Sequence, residues 1–141
     1  MTDPRTAPYA ATTIAAIPTD GEPGDVRFHM VRSFFDVLSF GVNAVEADTG
    51  AQIIGVHDEA TDYDQRHEEL FAVISGHARF TVDGTDLDAP TGTLVFVRDP
   101  TLKRGAIATA DGTTVLCLGG RPGHAFAISK LDREQATDFE H

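Results

Sequence analysis

The sequence predicts a single all-β domain, either a closed barrel or a jelly roll, from three observations. From residue 39 onward, apolar residues recur in short segments of strand-like length. Gly, Pro and Asp-Gly turn signals separate these segments at regular intervals, without the longer helical stretches that alternate with strands in α/β folds. The length of 141 residues and a hydrophobic content of 41% suit one packed core.

The predicted strands follow one another between recognisable turns. The first two flank Asp48-Thr49-Gly50, whose turn residues predict a hairpin, and later turns fall at Asp83-Gly84 and Asp111-Gly112. The predicted strands cover residues 40–47, 51–56, 69–75, 78–82, 85–88, 93–97, 105–109 and 113–118.

Two terminal segments flank the barrel domain, which we assign to residues 26–128. Residues 1–25 contain four prolines, which exclude a long helix, so we expect an extended arm there. Apolar positions between residues 27 and 37 recur at helical spacing and indicate a short helix or turn. Residues 129–141 combine a capping-box pattern with good helix formers, which predicts a short C-terminal helix.

Charge and composition narrow the classes of partner. The 22 acidic and 11 basic residues give a net charge of −11, which repels nucleic acid and anionic membranes, so neither is an expected partner. Cys117 is the only cysteine, which excludes an intrachain disulfide and a multi-cysteine zinc site. Residues 1–20 lack an apolar leader and no run of 18 apolar residues occurs, so we expect a cytoplasmic protein.

The most specific pattern lies between residues 67 and 100. Glu69 and Gly76 keep an E-x6-G spacing, Asp83-Gly84 closes the next turn, and Gly92 precedes another apolar strand. Gly76 predicts a tight turn that brings the next strand back beside the strand of Glu69. This pattern resembles the two motifs of the cupin family, over roughly residues 39 to 120. The resemblance implies a cupin-type jelly-roll barrel and a homodimer. It also implies isomerase, lyase, cyclase or dioxygenase activities on small oxygenated substrates.

The metal-binding histidines that the resemblance implies are largely missing. The H-x-H pair of the first motif falls on Asp62 and Asp64, or on Tyr63 and Gln65, and the histidine of the second motif falls on Lys103. An ammonium group cannot bind a metal unless it loses its proton. The usual set of three histidines and one glutamate therefore cannot form, and the resemblance implies an altered site.

Two arrangements of the altered site stay open. In the first, His67 lies two residues before Glu69 on the same strand face, and His57 ends the preceding segment. With Glu69 and one of Asp58, Asp62 or Asp64, these histidines would hold a divalent transition metal such as Zn, Fe or Mn. The alternative interpretation of Asp58, Glu59, Asp62 and Asp64 is a solvated acidic loop.

The second arrangement contains no cofactor, and it is the one we expect first. Glu69 faces Lys103 as a buried ion pair that lowers the pKa of the carboxyl group. Tyr63 or His67 supplies a further hydrogen bond, and Phe71 lines the cavity beside Glu69. The competing interpretation places Lys103, like its neighbour Arg104, in a solvent-facing loop.

The leading functional hypothesis is a metal-poor barrel that binds a small organic molecule through Tyr63, His67, Glu69, Phe71 and Lys103. The alternative is an enzyme, so whether the protein catalyses a reaction stays open. Without metal, Glu69 or His67 would be a general base and Lys103 would stabilise an enolate. With a metal, the ion would polarise the substrate oxygen instead. A barrel with a purely structural or partner-binding role is a third interpretation.

Overall fold

In this computed structural model, residues 3–20, 24–60 and 66–128 are described. They form two antiparallel sheets with very little helix, so the predicted all-β jelly roll is confirmed. The only α-helix among them, α1 (Val31–Phe35), lies within the segment for which a short helix or turn was predicted. The C-terminal helix predicted for residues 129–141 lies outside the described residues.

The described residues contain ten strands and one 3-10 turn, Ile14–Ala16. The strands are β1 (Thr19–Asp20), β2 (Val26–His29), β3 (Gly41–Ala47), β4 (Ile54–His57), β5 (Glu68–Ser75), β6 (His77–Val82), β7 (Thr85–Pro90), β8 (Leu94–Val97), β9 (Arg104–Ala108) and β10 (Thr113–Gly120). The strands predicted between residues 69 and 118 match β5 to β10 within two residues at each end.

The strands form one six-stranded and one four-stranded sheet. The six-stranded sheet has the order β1-β2-β3-β10-β5-β8, and the four-stranded sheet has the order β4-β9-β6-β7. Alternate residues of the strands point between the sheets, where Phe71 and Phe80 pack with ring centroids 5.4 Å apart. This inner core extends over apolar residues from both sheets, so burial between the sheets holds the barrel together.

Two turns connect different sheets where the sequence predicted paired neighbours. The hairpin predicted at Asp48-Thr49-Gly50 is wrong, because β3 pairs with β2 and β10 while β4 pairs with β9. Gly76 likewise sends the chain from β5 to the other sheet and does not bring β6 back beside β5. Gly76 has a φ of +78°, and a Cβ there would lie 2.6 Å from the Cα of Thr113. This corner therefore requires glycine.

The turn at Asp83-Gly84 does form a hairpin. It joins β6 to β7 with Val82 opposite Thr85, and both turn residues have positive φ, 50° and 80°. A two-residue turn of this kind matches the twist of the strands it connects, which is why the Asp-Gly signal predicts it well.

The N-terminal arm covers part of the outer face of the six-stranded sheet. Its strand β1 pairs with β2, and Ile17 is buried with Val31, Val42 and Ala44 in a second apolar cluster. The arm thus extends the sheet and shields its outer face at β3. No helix in the described part of the chain is long and apolar enough to span a bilayer.

Candidate functional site

Four charged side chains meet inside one end of the barrel. His57 ends β4, Glu59 follows two residues later, Glu69 lies on β5, and Arg104 begins β9. We call these four residues the charged cluster. Glu69 belongs to the six-stranded sheet, whereas His57 and Arg104 belong to the four-stranded sheet, so the cluster lies between the two sheets.

A bulge in β4 turns His57 toward Arg104. His57 and Arg104 are opposite one another in the β4–β9 pair, and the register shifts between Ile54 and His57. An extra residue in one strand re-aims the side chains that follow it, which leaves Val56 exposed and points His57 inward. Gly105 permits this close approach, because a Cβ there would lie 2.9 Å from Val56 Cγ2.

Arg104 is the buried cation of the cluster, with no solvent exposure. Its Nη1 donates to Glu69 Oε1 at 2.6 Å, while Nε donates to the carbonyl of Leu102 at 2.9 Å and Nη2 to the carbonyl of Asp99 at 3.1 Å. A guanidinium group keeps its charge in proteins, and buried charges are tolerated only when paired and hydrogen-bonded. These three contacts fix the Arg104 side chain against Glu69.

His57 joins the two carboxyl groups of the cluster. Its Nδ1 lies 2.7 Å from the carbonyl oxygen of Gly55, which only accepts, so Nδ1 carries a proton. Its Nε2 lies 3.2 Å from Glu59 Oε1 and 3.3 Å from Glu69 Oε1. A second proton on Nε2 lets the ring donate to both carboxyl groups, and this arrangement favours the imidazolium form.

The pKa values in the cluster are displaced in opposite directions. The hydrogen bond to Glu59, and next the one to Glu69, raises the pKa of His57 to about 10. Burial raises the pKa of Glu59 to about 7. Burial also acts to raise the pKa of Glu69, but hydrogen bonds from His57, Glu59 and Arg104 hold it below its ordinary value. Near neutral pH the cluster therefore contains two cations, one carboxylate and one carboxyl group that shares a proton.

Of the predicted site residues, the structure places His67 close to Glu69 and Phe71 in the core. A Cβ on Gly119 would lie 3.3 Å from His67 Nδ1 and 3.6 Å from Glu69 Cγ, so both side chains lie against the same glycine. The His67 ring is 6.0 Å from the Phe126 ring. Phe71 is only 1% exposed and packs in the core. Their predicted roles in ligand binding stay predictions.

The predicted ion pair between Glu69 and Lys103 is wrong. Lys103 is exposed, and the cation that faces Glu69 is the next residue, Arg104. Counting residues along the second cupin motif leads to Lys103, one residue before the cation that faces Glu69. Alternation along β9 points Arg104 inward on the same side as Ala106 and Ala108. The interpretation of Arg104 as a solvent-facing loop residue is also wrong, because it is fully buried.

Glu59 is the cluster residue that the sequence did not reveal. It was expected in a solvated acidic loop, but it is only 8% exposed, and its backbone N–H donates to the carbonyl of Pro100 at 2.8 Å. It follows the end of a strand among other acidic residues, so no periodic pattern marks it. Asp62, Tyr63 and Asp64, which were also considered for the site, lie outside the described residues.

Among the described residues, the side chains of His57, Glu59 and Glu69 have ligand atoms that lie within 4.8 Å of one another. One imidazole and two carboxylates are suitable ligands for a divalent transition metal, and the bond from Nδ1 to Gly55 would orient the imidazole for this role. The positive charge beside these ligand atoms opposes metal binding, since the Arg104 guanidinium group already donates to Glu69 Oε1. His67 does not belong to this set, so Glu59 replaces it in the predicted trio of His57, His67 and Glu69.

Comparison with solved structures supports the jelly-roll architecture. No family model matches the sequence, and no curated protein matches it. A cupin protein from Bacteroides fragilis superposes with a TM-score of 0.63 at 18% identity, over 88% of this chain and 93% of that chain. The protein has a cupin fold. KdgF from Halomonas sp. gives a TM-score of 0.59 at 17% identity, over 72% of this chain and 84% of that chain.

A third cupin resembles the chain to a similar degree. The sugar phosphate isomerase of the cupin superfamily from Silicibacter pomeroyi gives a TM-score of 0.62 at 16% identity, over 79% of this chain and 76% of that chain. Identities this low establish the cupin fold alone. The chemistry of this chain must be argued from its own charged cluster.

Proposed function

We propose that this cupin barrel binds a small oxygenated organic molecule at the charged cluster, without a resident transition metal. The observation that carries the proposal is the contact of 2.6 Å between Arg104 Nη1 and Glu69 Oε1, made by a guanidinium group with no solvent exposure. This fixed charge neutralises Glu69, which is the carboxylate that a metal would need as a ligand.

The cluster has no excess of negative charge for a metal to neutralise. His57 and Arg104 are cations that face Glu59 and Glu69, and the carboxyl groups supply one to two negative charges, depending on the protonation of Glu59. A metal would have to displace the Nε2 proton of His57, whose pKa is raised to about 10, and it would then lie beside Arg104. Both requirements weaken metal binding at neutral pH.

The cluster offers an oxygenated molecule both donors and acceptors. The His57 side chain is 38% exposed, so it is the group that an entering molecule meets first, ahead of Glu59 and Glu69 at 11% and 14%. A ligand oxygen accepts from His57, and a ligand hydroxyl donates to Glu59 or Glu69. Support also comes from cupins of the same fold that are named for sugar phosphates and oxalate, which are small oxygenated molecules.

A second candidate function is that of a metal-dependent cupin enzyme. The convergence of ligand atoms from His57, Glu59 and Glu69 within 4.8 Å favours it. These three residues would hold Zn, Fe or Mn, and the metal would supply Lewis-acid polarisation of a substrate oxygen. His57 must then be neutral, so metal binding would strengthen as the pH rises.

Thermal unfolding with a panel of sugar acids, hydroxy acids and polyols tests the leading proposal. We expect at least one compound to raise the unfolding temperature of the wild-type protein equally with and without EDTA. Metal analysis of protein purified without a histidine tag should find less than about 0.2 equivalents of any transition metal. Stabilisation that EDTA abolishes would support the metal-dependent candidate instead.

Matched histidine variants show where the compound binds. His57→Gln removes the imidazole from the cluster, whereas His77→Gln removes one from the surface, where His77 is paired with Asp88 at 2.6 Å. We expect the stabilisation to disappear in the first variant and to persist in the second. Equal stabilisation of both variants would place the ligand elsewhere.

The homodimer that the cupin resemblance implies stays a prediction. Light scattering at several protein concentrations measures the mass of the particle directly. A monomer at all concentrations would show that the charged cluster, which belongs to one chain, is complete without a second copy.

A further inference from the structure

We propose a second binding site, for a small primary ammonium compound, between the N-terminal arm and the outer face of the six-stranded sheet. The site is a cavity of about 200 Å³ that opens to solvent. We call it the arm pocket, and it is lined by Ile14, Ala15, His29, Glu46, Ile74, Ser75 and Thr114. A cavity of roughly 150 Å³ is enough for a molecule the size of benzene.

A buried polar atom without a partner marks the arm pocket. His29 is 5% exposed, and its Nε2 is the buried side-chain atom in the described residues that makes no hydrogen bond. Its Nδ1 lies 2.9 Å from the carbonyl oxygen of Ile17 and must therefore donate to it. In the neutral ring, Nε2 is then an acceptor without a hydrogen-bond donor.

A charged group that lies close to Nε2 is also an acceptor. Glu46 Oε1 lies 3.6 Å from His29 Nε2, which is too far for a hydrogen bond but close enough for one donor group to reach both atoms. Glu46 already accepts from Arg27 Nε at 3.1 Å, and Arg27 also contacts Asp48 at 3.3 Å. These three side chains together carry one net negative charge, which favours a cationic ligand.

The hydroxyl groups of the arm pocket add further acceptors. Ser75 Oγ donates its hydrogen to the carbonyl of Gly112 at 3.1 Å, and Thr114 Oγ1 points to the same carbonyl at 3.5 Å. Both hydroxyl hydrogens are therefore directed to one backbone carbonyl, and the hydroxyl oxygens keep lone pairs that can accept from a ligand. With His29 neutral, the polar wall consists of acceptors alone.

A primary ammonium group complements this wall. It has three donors and no acceptor, and its charge suits Glu46. Ile14, Ala15 and Ile74 supply an apolar wall for a short carbon chain attached to the nitrogen. The arm pocket lies on the opposite face of the sheet from the charged cluster, so it is independent of the function proposed for the barrel.

Calorimetric titration with n-butylammonium chloride tests this site, with n-butanol and sodium butyrate as probes of equal chain length. We expect butylammonium to bind with a dissociation constant below about 20 mM, and the other two to bind at least about tenfold more weakly. Glu46→Gln should weaken butylammonium binding about tenfold, whereas Glu59→Gln in the barrel should leave it unchanged. Equal affinity for butanol, or a loss of binding only in Glu59→Gln, would overturn the proposal.

Ring nitrogen NMR of the wild-type protein tests the same site without relying on the folding of a variant. We expect the resonance of His29 Nε2 to shift when butylammonium is added. A protonated Nε2 in the free protein would show that His29 forms an ion pair with Glu46, and it would contradict the acceptor wall. No shift on addition of butylammonium would also reject the site.

Discussion

The two faces of the six-stranded sheet each carry a glutamate between an arginine and a histidine. On the inner face Glu69 lies 2.6 Å from Arg104 and 3.3 Å from His57. On the outer face Glu46 lies 3.1 Å from Arg27 and 3.6 Å from His29. In both places Nδ1 of the histidine donates to a backbone carbonyl.

The two groups of arginine, glutamate and histidine differ in which side chain is buried. The inner arginine is fully buried and its histidine is 38% exposed, whereas the outer arginine is 26% exposed and its histidine 6%. A buried cation is fixed and a half-exposed imidazole can meet a ligand. The same three residue types therefore yield an accessible histidine inside the barrel and a shielded histidine outside it.

The largest predicted effect is the loss of the inner arginine. Arg104→Met removes the fully buried cation that contacts Glu69 at 2.6 Å and leaves the partly exposed His57 as its remaining partner, so we expect the free energy of unfolding to fall by about 3 kcal/mol in urea denaturation. Arg27→Met removes the equivalent partner of Glu46 on the outer face. Because that pair is partly exposed, we expect a loss below about 1 kcal/mol.

A double variant distinguishes lost charge pairing from lost packing. In Arg104→Met/Glu69→Gln the carboxylate that lost its buried partner is replaced by a neutral amide, so at least about half of the lost stability should return. Equal losses in Arg104→Met and Arg27→Met would contradict the contrast in burial between the two faces.

The pH dependence of stability is the next effect in size. The pKa of His57 is raised from 6.5 to about 10, so the folded protein binds more protons than the unfolded chain across that interval, and stability falls as the pH rises. The raised pKa of Glu59 acts in the same direction between 4.5 and about 7. The lowered pKa of Glu69 acts in the opposite direction and removes stability in acid.

We therefore expect the unfolding temperature to fall by roughly 5 °C between pH 6.5 and pH 8.5, below the range in which the Cys117 thiol, whose pKa burial also raises, contributes to the slope. His57→Gln should flatten this slope, because the group that binds the extra proton is gone. The surface variant His77→Gln serves as the control and should keep the slope. A wild-type slope retained in His57→Gln would assign the pH dependence to other groups.

The smallest predicted effect concerns zinc. The wild-type protein should show a change of less than about 1 °C in unfolding temperature with one equivalent of Zn²⁺ at pH 7, because Arg104 and the His57 proton oppose the metal. In Arg104→Met the ligand atoms of His57, Glu59 and Glu69 no longer face the guanidinium, so zinc should stabilise that variant more than the wild type. Strong stabilisation of the wild-type protein would favour the metal-dependent candidate.

Most of the fold could be predicted from the sequence because local signals decide it. Asp83-Gly84 has the turn chemistry of a two-residue hairpin, and the apolar segments 69–75 and 113–118 mark β5 and β10. The sequence does not distinguish a turn within a sheet from a corner between sheets. Gly76 shows why, since its role depends on Thr113, which is distant in the chain and close in space.

The candidate site was predicted in part. Glu69 and His57 were singled out, because one lies on an inward strand face and the other ends a strand. Arg104 was missed as the partner of Glu69 because motif spacing pointed to Lys103, while a bulge and the alternation of β9 decide which side chains face inward. Glu59 was missed because the burial of a loop carboxyl group depends on packing that no local pattern encodes.

The protonation of His57 is the measurement that tests the central claim most directly. Ring nitrogen NMR of chelator-treated protein at about pH 8, before and after one equivalent of Zn²⁺, reports whether both nitrogens carry protons. The charged cluster as described predicts an imidazolium ring with Nε2 protonated and no change when zinc is added. A neutral ring whose Nε2 resonance moves with zinc would contradict a barrel site in which His57 and Arg104, and no metal, face the carboxyl groups.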